Sequence, residues 1–483
     1  MKVDSIFIEQ QLASIESEML LTCEDQQTLL AAIHPDNQQA AKNLLHYLAF
    51  RSEDRTKLQL ALHRLGLSAL SNAESHILSQ VQAVRQRLGH QYTTDQLCTH
   101  RYPETKERLA QKSNDLFGSG DESRQPYIMV TLDPDITEEP EKLNELLIQG
   151  MNVARINCAH GDQTMWEQLI EAVREATQAT GIPCKVYMDL AGPKIRTEFL
   201  GEERKKKSLA IAEGSLVYLS GSKEGYGKED TVISPTVPEV IPYLKPEQRV
   251  FFDDGKVFGT IETKDHRGVG VRIRKYFAKR QRIKVDKGIN FPDSKIKIPA
   301  LTAYDREVLP FVVAHADLIG YSFVNSAEDL LYLRKLLSEL TAFPPPVILK
   351  IETALSVKNL PELLLESMKD PLSGVMIARG DLAVETGFQK LAEIQDDILW
   401  LCEAAQIPVV WATQVLENLH KTGIATRSEI TDAAQSALAE CVMINKGPHT
   451  ITVIQYLKEI IHRSKAQRTK KRFLVGKLKL GKL

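Results

Sequence analysis

The chain has 483 residues, a formal net charge of −2, 43% hydrophobic residues and 26% charged residues. That composition belongs to a soluble globular protein large enough for more than one domain, and its charge balance gives no overall attraction to nucleic acid or to a membrane surface. No apolar run reaches the roughly 18 residues of a spanning helix, Met1–Leu30 lacks the pattern of a secretory signal, and the six scattered cysteines form no C-x-x-C pair, so a reducing, cytoplasmic setting without a zinc site is expected.

Residues 1–112 read as an all-helical region. Gln38–Leu48, Lys57–Leu65 and Ala73–Leu88 repeat apolar residues at three- and four-residue spacing. Residues 113–125, rich in Ser, Gly and Asp, read as a linker. From Pro126 onward, short β-branched runs alternate with amphipathic stretches. Strands are expected at Tyr127–Leu132, Asn152–Cys158, Lys185–Leu190, Asp317–Phe323, Val347–Glu352, Gly374–Arg379, Pro408–Thr413 and Cys441–Asn445. Helices are expected between them, as at Thr137–Gln149, Met165–Thr180 and Ser326–Leu340. Strands that are apolar nearly end to end and alternate with helices predict a (β/α)8 barrel over residues 126–197 and 291–464, with a doubly wound open sheet as the alternative.

The connection after the third strand is far longer than an ordinary βα loop. Within it, Ser215–Leu219, Arg249–Thr263 and Gly268–Tyr276 alternate apolar and polar residues at period two. A small β-barrel domain inserted over residues 198–290 is therefore expected, placed as a lid over the C-terminal mouth of the main barrel. Residues 465–483 carry eight Lys or Arg and no acid, which predicts a solvated basic tail.

Strand ends carry the chemistry, because in a barrel they converge on one mouth. Strand two ends in Arg155, Asn157 and His160, and strand three runs through Asp189 to Lys194 and Arg196. Strand five ends Lys350-Ile351-Glu352, strand six ends Arg379-Gly380-Asp381, and strand seven ends at Thr413. Two carboxylates, Glu352 and Asp381, among the cations Arg155, Arg196 and Lys350 suit a magnesium ion and a phosphorylated substrate. The amides of Gly380 and Asp381 could receive a carboxylate, as helix N-termini do. Singly, each feature has a plainer reading: a salt bridge for Lys350 with Glu352, an N-cap for Asp381, a structural histidine for His160. Thr426-x-x-Glu429 reads as a capping box. The placement of such residues on five strands at the same end is what points to a site.

The segments MNVARINCAHGD, MDLAGPKIRT, FDDGKV, KGINFPD, LKIET, VMIARGDL and WATQVLENL with TRSEITDA resemble the successive motifs of the pyruvate kinases, in the family's order, over about Pro126 to His462. The family's C-terminal regulatory domain has no counterpart in this sequence, and residues 1–110 are additional to the common core. The resemblance implies a magnesium-dependent (or manganese-dependent) transfer of phosphate from phosphoenolpyruvate to ADP, with ATP as product. It places magnesium on Glu352 and Asp381, makes Lys350, Arg155 and Thr413 catalytic, and adds Gly380 and Asp381 to the substrate contacts. Asn157, His160, Arg196 and Lys287 would face the nucleotide, and Asp254 would be a lid carboxylate, unless its DDG segment is only a hairpin turn. A homo-oligomer is left open. The rivals are a magnesium-dependent 2-oxo acid lyase or aldolase, and a non-catalytic regulator that binds phosphoenolpyruvate or nucleotide.

Several positions depart from the family pattern. The family usually has serine at Ala159, threonine at Leu190, lysine at Ala191 and glycine at Asp133, and Ser-Gly-Glu-Thr where this chain reads Asn445-Lys446-Gly447-Pro448. Asn157, Ala159, Asp189 and Leu190 match the potassium site of the common form. Here Ala159 lacks a hydroxyl and Lys194 stands where potassium-dependent members have glutamate. Lys194 with Leu190 resembles the potassium-independent branch, so no potassium requirement is expected.

Overall fold

A computed structural model of the chain describes residues 5–118, 126–276, 282–465, 468–469 and 472–473. All eight strands expected from their apolar runs are present: β1 (Tyr127–Thr131), β2 (Met151–Asn157), β3 (Lys185–Asp189), β4 (Leu318–Tyr321), β5 (Val347–Ile351), β6 (Ser373–Ala378), β7 (Val409–Ala412) and β8 (Cys441–Ile444). They pair in parallel and in chain order, and β1 also pairs with β8, so the sheet closes. Closure rules out the open doubly wound sheet. Nearly every strand residue is buried because one face meets the barrel interior and the other meets the surrounding helices. Local sequence sets the helix ends. Asp162 caps Gln163–Thr180 by accepting from the Met165 amide at 3.0 Å, and Gly181 ends that helix at φ 69°. Thr426 and Glu429 form the expected capping box.

The N-terminal helices are not set apart from the barrel. Their buried residues, such as Leu12, Leu44 and Val81, run into one continuous core with the barrel's outer layer. They also supply polar caps to the C-terminal ends of barrel helices. Asn37 Nδ2 donates to the carbonyls of Met368 (3.0 Å) and Asp370 (2.8 Å), Asn43 Nδ2 to that of Ala404 (2.8 Å), and Lys112 Nζ to that of Gln406 (3.1 Å). These carbonyls have no partner within their own helices. Burial pulls the Lys112 ammonium down to about 8, with Arg108 adding to the effect. Barrel helices run antiparallel to the strands, so these ends lie at the floor, opposite the mouth.

The helix Tyr102–Phe117 corrects the expected linker. It continues five residues into the 113–125 stretch, and the remainder, 119–125, lies outside the described residues. Leu116 and Phe117 are fully buried and pack inside the barrel with Tyr127, Met129, Ile348 and Val410. The ring of Phe117 lies 5.6 Å from that of Tyr127. A plug of this kind overrides the Ser- and Asp-rich composition that reads as loop. Phe117→Ala should therefore lower the unfolding free energy by about 3–5 kcal/mol, the usual cost of a large core truncation. Urea unfolding of the full chain measures it, and a loss below about 1 kcal/mol would mean that the ring is not packed in the floor.

The inserted unit, expected as a small β barrel, has its own core built from residues such as Phe199, Val217, Phe252 and Val271. Its main sheet has seven strands, and the first and last of them, Ile289–Asn290 and Thr197–Phe199, are joined in turn by an antiparallel bridge between Arg196 and Gly288. The Thr197 amide donates to the Lys287 carbonyl at 2.8 Å and the Ile289 amide to the Ile195 carbonyl at 2.8 Å, so the sheet closes on itself as expected. A two-stranded ladder, Ser208–Ala210 with Arg282–Lys284, accompanies it. Asp253 and Asp254, at φ 52° and 54°, form the hairpin turn between Arg249–Phe252 and Val257–Lys264, and Asp254 Oδ1 lies beside Gly288, where a Cβ would be 3.9 Å from it and 3.3 Å from Lys194 Cε. Most of the basic tail lies outside the described residues, apart from the small pair Arg468–Thr469 and Arg472–Phe473. No described helix is long and apolar enough to cross a membrane.

Candidate active site

Residues two apart on a strand share a face, so Arg155 with Asn157, Tyr187 with Asp189, and Lys350 with Glu352 all reach the same mouth. Asp189 is their hub. Its Oδ2 accepts from Arg155 Nε at 3.1 Å and Nη2 at 2.5 Å, while Oδ1 lies 3.1 Å from Lys350 Nζ and 3.2 Å from the Tyr187 hydroxyl. Lys350 Nζ also meets Glu352 Oε1 at 3.1 Å and donates to Ser322 Oγ at 2.6 Å. Burial alone would lower the Lys350 ammonium, but the Asp189 and Glu352 carboxylates outweigh it and hold it above the ordinary lysine value. Burial likewise pushes Asp189 up, and Lys350 with Arg155 more than reverse that. Lys350 is thus a fixed cation at neutral pH, not a base.

On the opposite side of the mouth, Asp381 lies in the first turn of the helix Arg379–Thr386. Lys194 Nζ sits 2.9 Å from each oxygen of that carboxylate. Gly380 faces Thr413, since a Cβ there would stand 3.7 Å from the Thr413 hydroxyl. Thr413 itself has φ 68°, an unusual conformation for a β-branched residue. Arg379 holds it there by donating to the carbonyl of Thr413 and, at 3.0 Å, to that of Ala412, while pairing with Asp432. The Thr413 hydroxyl is buried and has no hydrogen-bond partner within the chain. A buried orphan donor on a strained backbone signals a group kept for a ligand.

Arg155, Asn157, Asp189, Lys194, Arg196, Lys350, Glu352, Gly380, Asp381 and Thr413 line one cavity of 140 Å³. A second cavity, of 410 Å³, shares Arg155 and Asn157 with it and is lined by His160. Lys287 lines neither cavity; its backbone pairs with Thr197, and the neighbouring Asp286 pairs with Arg196 at 3.6 Å. A larger cavity, of 580 Å³, lies among the N-terminal helices and contains none of these residues.

Sequence reasoning missed three supports. Ser322 orients Lys350 and donates to the Leu190 carbonyl at 2.5 Å. Asp305 is fully buried and accepts from the amides of Ala191 (2.9 Å) and Gly192 (3.3 Å), fixing the loop after β3. Arg379 bends the Thr413 backbone. Of these, Arg379 stands within the VMIARGDL segment, Asp305 left a trace as the fourth residue of a Thr-x-x-Asp capping box, and Ser322 left none.

The donor set fits a hard divalent cation. Glu352 and Asp381 place carboxylates on one small cavity, and burial followed by Lys350 and then the repulsion of Asp381 governs the Glu352 carboxyl, which is raised overall. A cation between them would relieve that repulsion. Among the described residues no group of three or more His, Cys, Asp or Glu is arranged around a metal position, so such an ion would draw its remaining ligands from substrate and water, as magnesium commonly does. Burial pushes the nearby Cys158 thiol well up, with Asp189 adding to it, which leaves it a poor nucleophile. The cavity thus brings the cations Arg155, Lys194, Arg196 and Lys350 together with the carboxylates Asp189, Glu352 and Asp381.

Residues 123–448 match the family model described as pyruvate kinase, barrel domain. A cytosolic pyruvate kinase isozyme of Nicotiana tabacum is 33% identical over 322 residues, covering 66% of this chain and 61% of that protein. The pyruvate kinase of Geobacillus stearothermophilus is 30% identical over 348 residues, covering 71% of this chain and 57% of that protein. That of Thermotoga maritima is 30% identical over 349 residues and covers 70% of each. The chain thus spans about three fifths of the length of the first two relatives.

Proposed function

The chain belongs to the pyruvate kinase family, and from that membership we propose that it transfers the phosphoryl group of phosphoenolpyruvate to ADP, giving pyruvate and ATP. The observation that carries the proposal is the mouth itself, where the Lys350 ammonium, 3.1 Å from both Asp189 and Glu352, lines one 140 Å³ cavity with the unpartnered Thr413 hydroxyl.

In the forward direction the bond between phosphorus and the enol oxygen breaks, and a bond forms to a β-phosphate oxygen of ADP. Arg155 and Lys350 hold the phosphoryl group, and little covalent help is needed in so loose a transition state. As the enol oxygen gains charge, the Lys350 ammonium is already in place to neutralise it, so no reorganisation is required. The amides of Gly380 and Asp381 receive the substrate carboxylate. Thr413 faces the carbon of the enolate and guides the proton that completes pyruvate. Magnesium, or manganese, held by Glu352 and Asp381 would neutralise charge shared between the carboxylate, enolate and phosphoryl oxygens. Lys194 supplies the positive field that a potassium ion would otherwise give.

The second cavity, which shares the lining residues Arg155 and Asn157 with the first, has room for a second substrate. That favours a two-substrate transfer over a lyase. A coupled assay with phosphoenolpyruvate, ADP and magnesium should yield pyruvate and ATP in equal amounts. Pyruvate formed equally well without ADP would sink the proposal.

A further inference from the structure

The phosphoryl-transfer scheme leaves one polar group beneath the mouth without a task, the hydroxyl of Tyr187. Tyr187 lies two residues before Asp189 on β3, so both side chains point into the barrel. The ring is fully buried and packs in the interior core with Phe117, Tyr127 and Ile348. Its hydroxyl lies 3.2 Å from Asp189 Oδ1. Burial, and then the Asp189 charge, push the phenol well above its ordinary value, so it stays protonated and donates that bond. Room for the ring comes from β4. Gly320 stands opposite Asp189, and a Cβ there would be 2.5 Å from Asp189 Oδ1 and closer still to the Tyr187 hydroxyl. The contact between phenol and carboxylate therefore requires glycine at 320.

Asp189 has three side-chain partners among the described residues. Two are cations, Arg155 on Oδ2 and Lys350 on Oδ1, and both hold substrate in the proposed reaction. Tyr187 is the third, and it approaches from the dry side of the barrel. Each cation that turns toward substrate takes charge compensation away from a buried carboxylate, which is costly to leave unmatched. A donor fixed beneath Asp189 offsets part of that cost without having to move.

We propose that Tyr187 is a positioning residue for the transfer: its hydroxyl holds the Asp189 carboxylate from the floor side, which frees the Lys350 ammonium to follow the charge developing on the enol oxygen. The inference rests on the phosphoryl-transfer reading. Lys350 leaves Asp189 furthest in the transition state, so the hydroxyl contributes more there than in the bound substrate.

The test is steady-state kinetics of the full chain in a double-mutant cycle. Tyr187→Phe keeps the ring and removes only the hydroxyl. Its kcat should fall about five- to tenfold, the order of one hydrogen bond to a charged group. KM for phosphoenolpyruvate and for ADP should each stay within about twofold, because the effect lies in the transition state. In the Lys350→Met background the same change should have no further effect on kcat, since the hydroxyl acts through the ammonium. A hydroxyl that served only to stabilise the barrel would lower the urea midpoint and leave kcat of the folded enzyme where it was. An unchanged kcat in Tyr187→Phe, or an equal fall in both backgrounds, would overturn the inference while the parent chain still made pyruvate. A parent chain that makes no pyruvate from phosphoenolpyruvate and ADP would overturn the transfer reading as well.

Discussion

Lys350→Ala should turn over at least about a hundredfold more slowly than the parent chain, the usual loss when a fixed transition-state donor is removed. The enol oxygen gains its charge only as the phosphoryl group leaves, so the ammonium is worth more in the transition state than in the bound substrate. The loss should accordingly fall on kcat more than on KM for phosphoenolpyruvate. The substitution also has a structural cost. It leaves Asp189 and Glu352 buried with one cation fewer, although Asp189 keeps both contacts from Arg155. Removing one partner of a buried ion pair typically costs about 3–5 kcal/mol. Turnover must therefore be compared well below the unfolding transition, and Lys350→Met offers a variant of similar volume. ADP binding close to that of the parent would certify the fold. A folded variant with near-normal turnover would show that Lys350 does not stabilise the developing charge.

The barrel was legible because its strands are apolar on both faces, a pattern few other elements produce. The mouth was legible because i, i+2 spacing forces Arg155 with Asn157 and Lys350 with Glu352 onto one side. What escaped the sequence depends on long-range contacts. Nothing local marks Asn37, Asn43 and Lys112 as caps for helices more than two hundred residues away. Leu116 and Phe117 follow a polar run whose composition reads as loop, and only the empty barrel floor explains their burial. Ser322 has no neighbouring motif, yet it bridges Lys350 and the loop after β3. Thr413 could be placed at a strand end, but not in a left-handed conformation, since β-branched residues avoid it.

Lys194→Glu should make activity potassium-dependent: in tetramethylammonium buffer turnover should fall about a hundredfold, of the order seen when a charge-stabilising group is lost, and added potassium should recover part of it. The parent chain, by contrast, should be stimulated by less than about tenfold, a limit that corresponds to roughly 1.4 kcal/mol. The reasoning begins with the oxygens that would surround a monovalent cation. Asn157 Oδ1 accepts from the Ala159 amide at 3.1 Å, and the Leu190 carbonyl accepts the Ser322 hydroxyl at 2.5 Å. Both oxygens of Asp189 are engaged by Arg155, Lys350 and Tyr187. The Leu190 side chain is buried in the apolar core, and Ala159 brings no hydroxyl. In the proposed charge replacement the positive charge would come from Lys194, which lines the same cavity and lies 2.9 Å from each oxygen of Asp381. A glutamate there would repel Asp381 and strip the mouth of that charge, two effects that must be separated. Lys194→Gln removes the cation without adding an anion, so it should show a smaller loss and still respond to potassium. Activity measured at constant ionic strength across a potassium series decides the matter, because a general salt effect would follow tetramethylammonium equally. Tenfold or greater stimulation of the parent chain, or a Lys194→Glu variant fully active without potassium, would defeat the charge-replacement account.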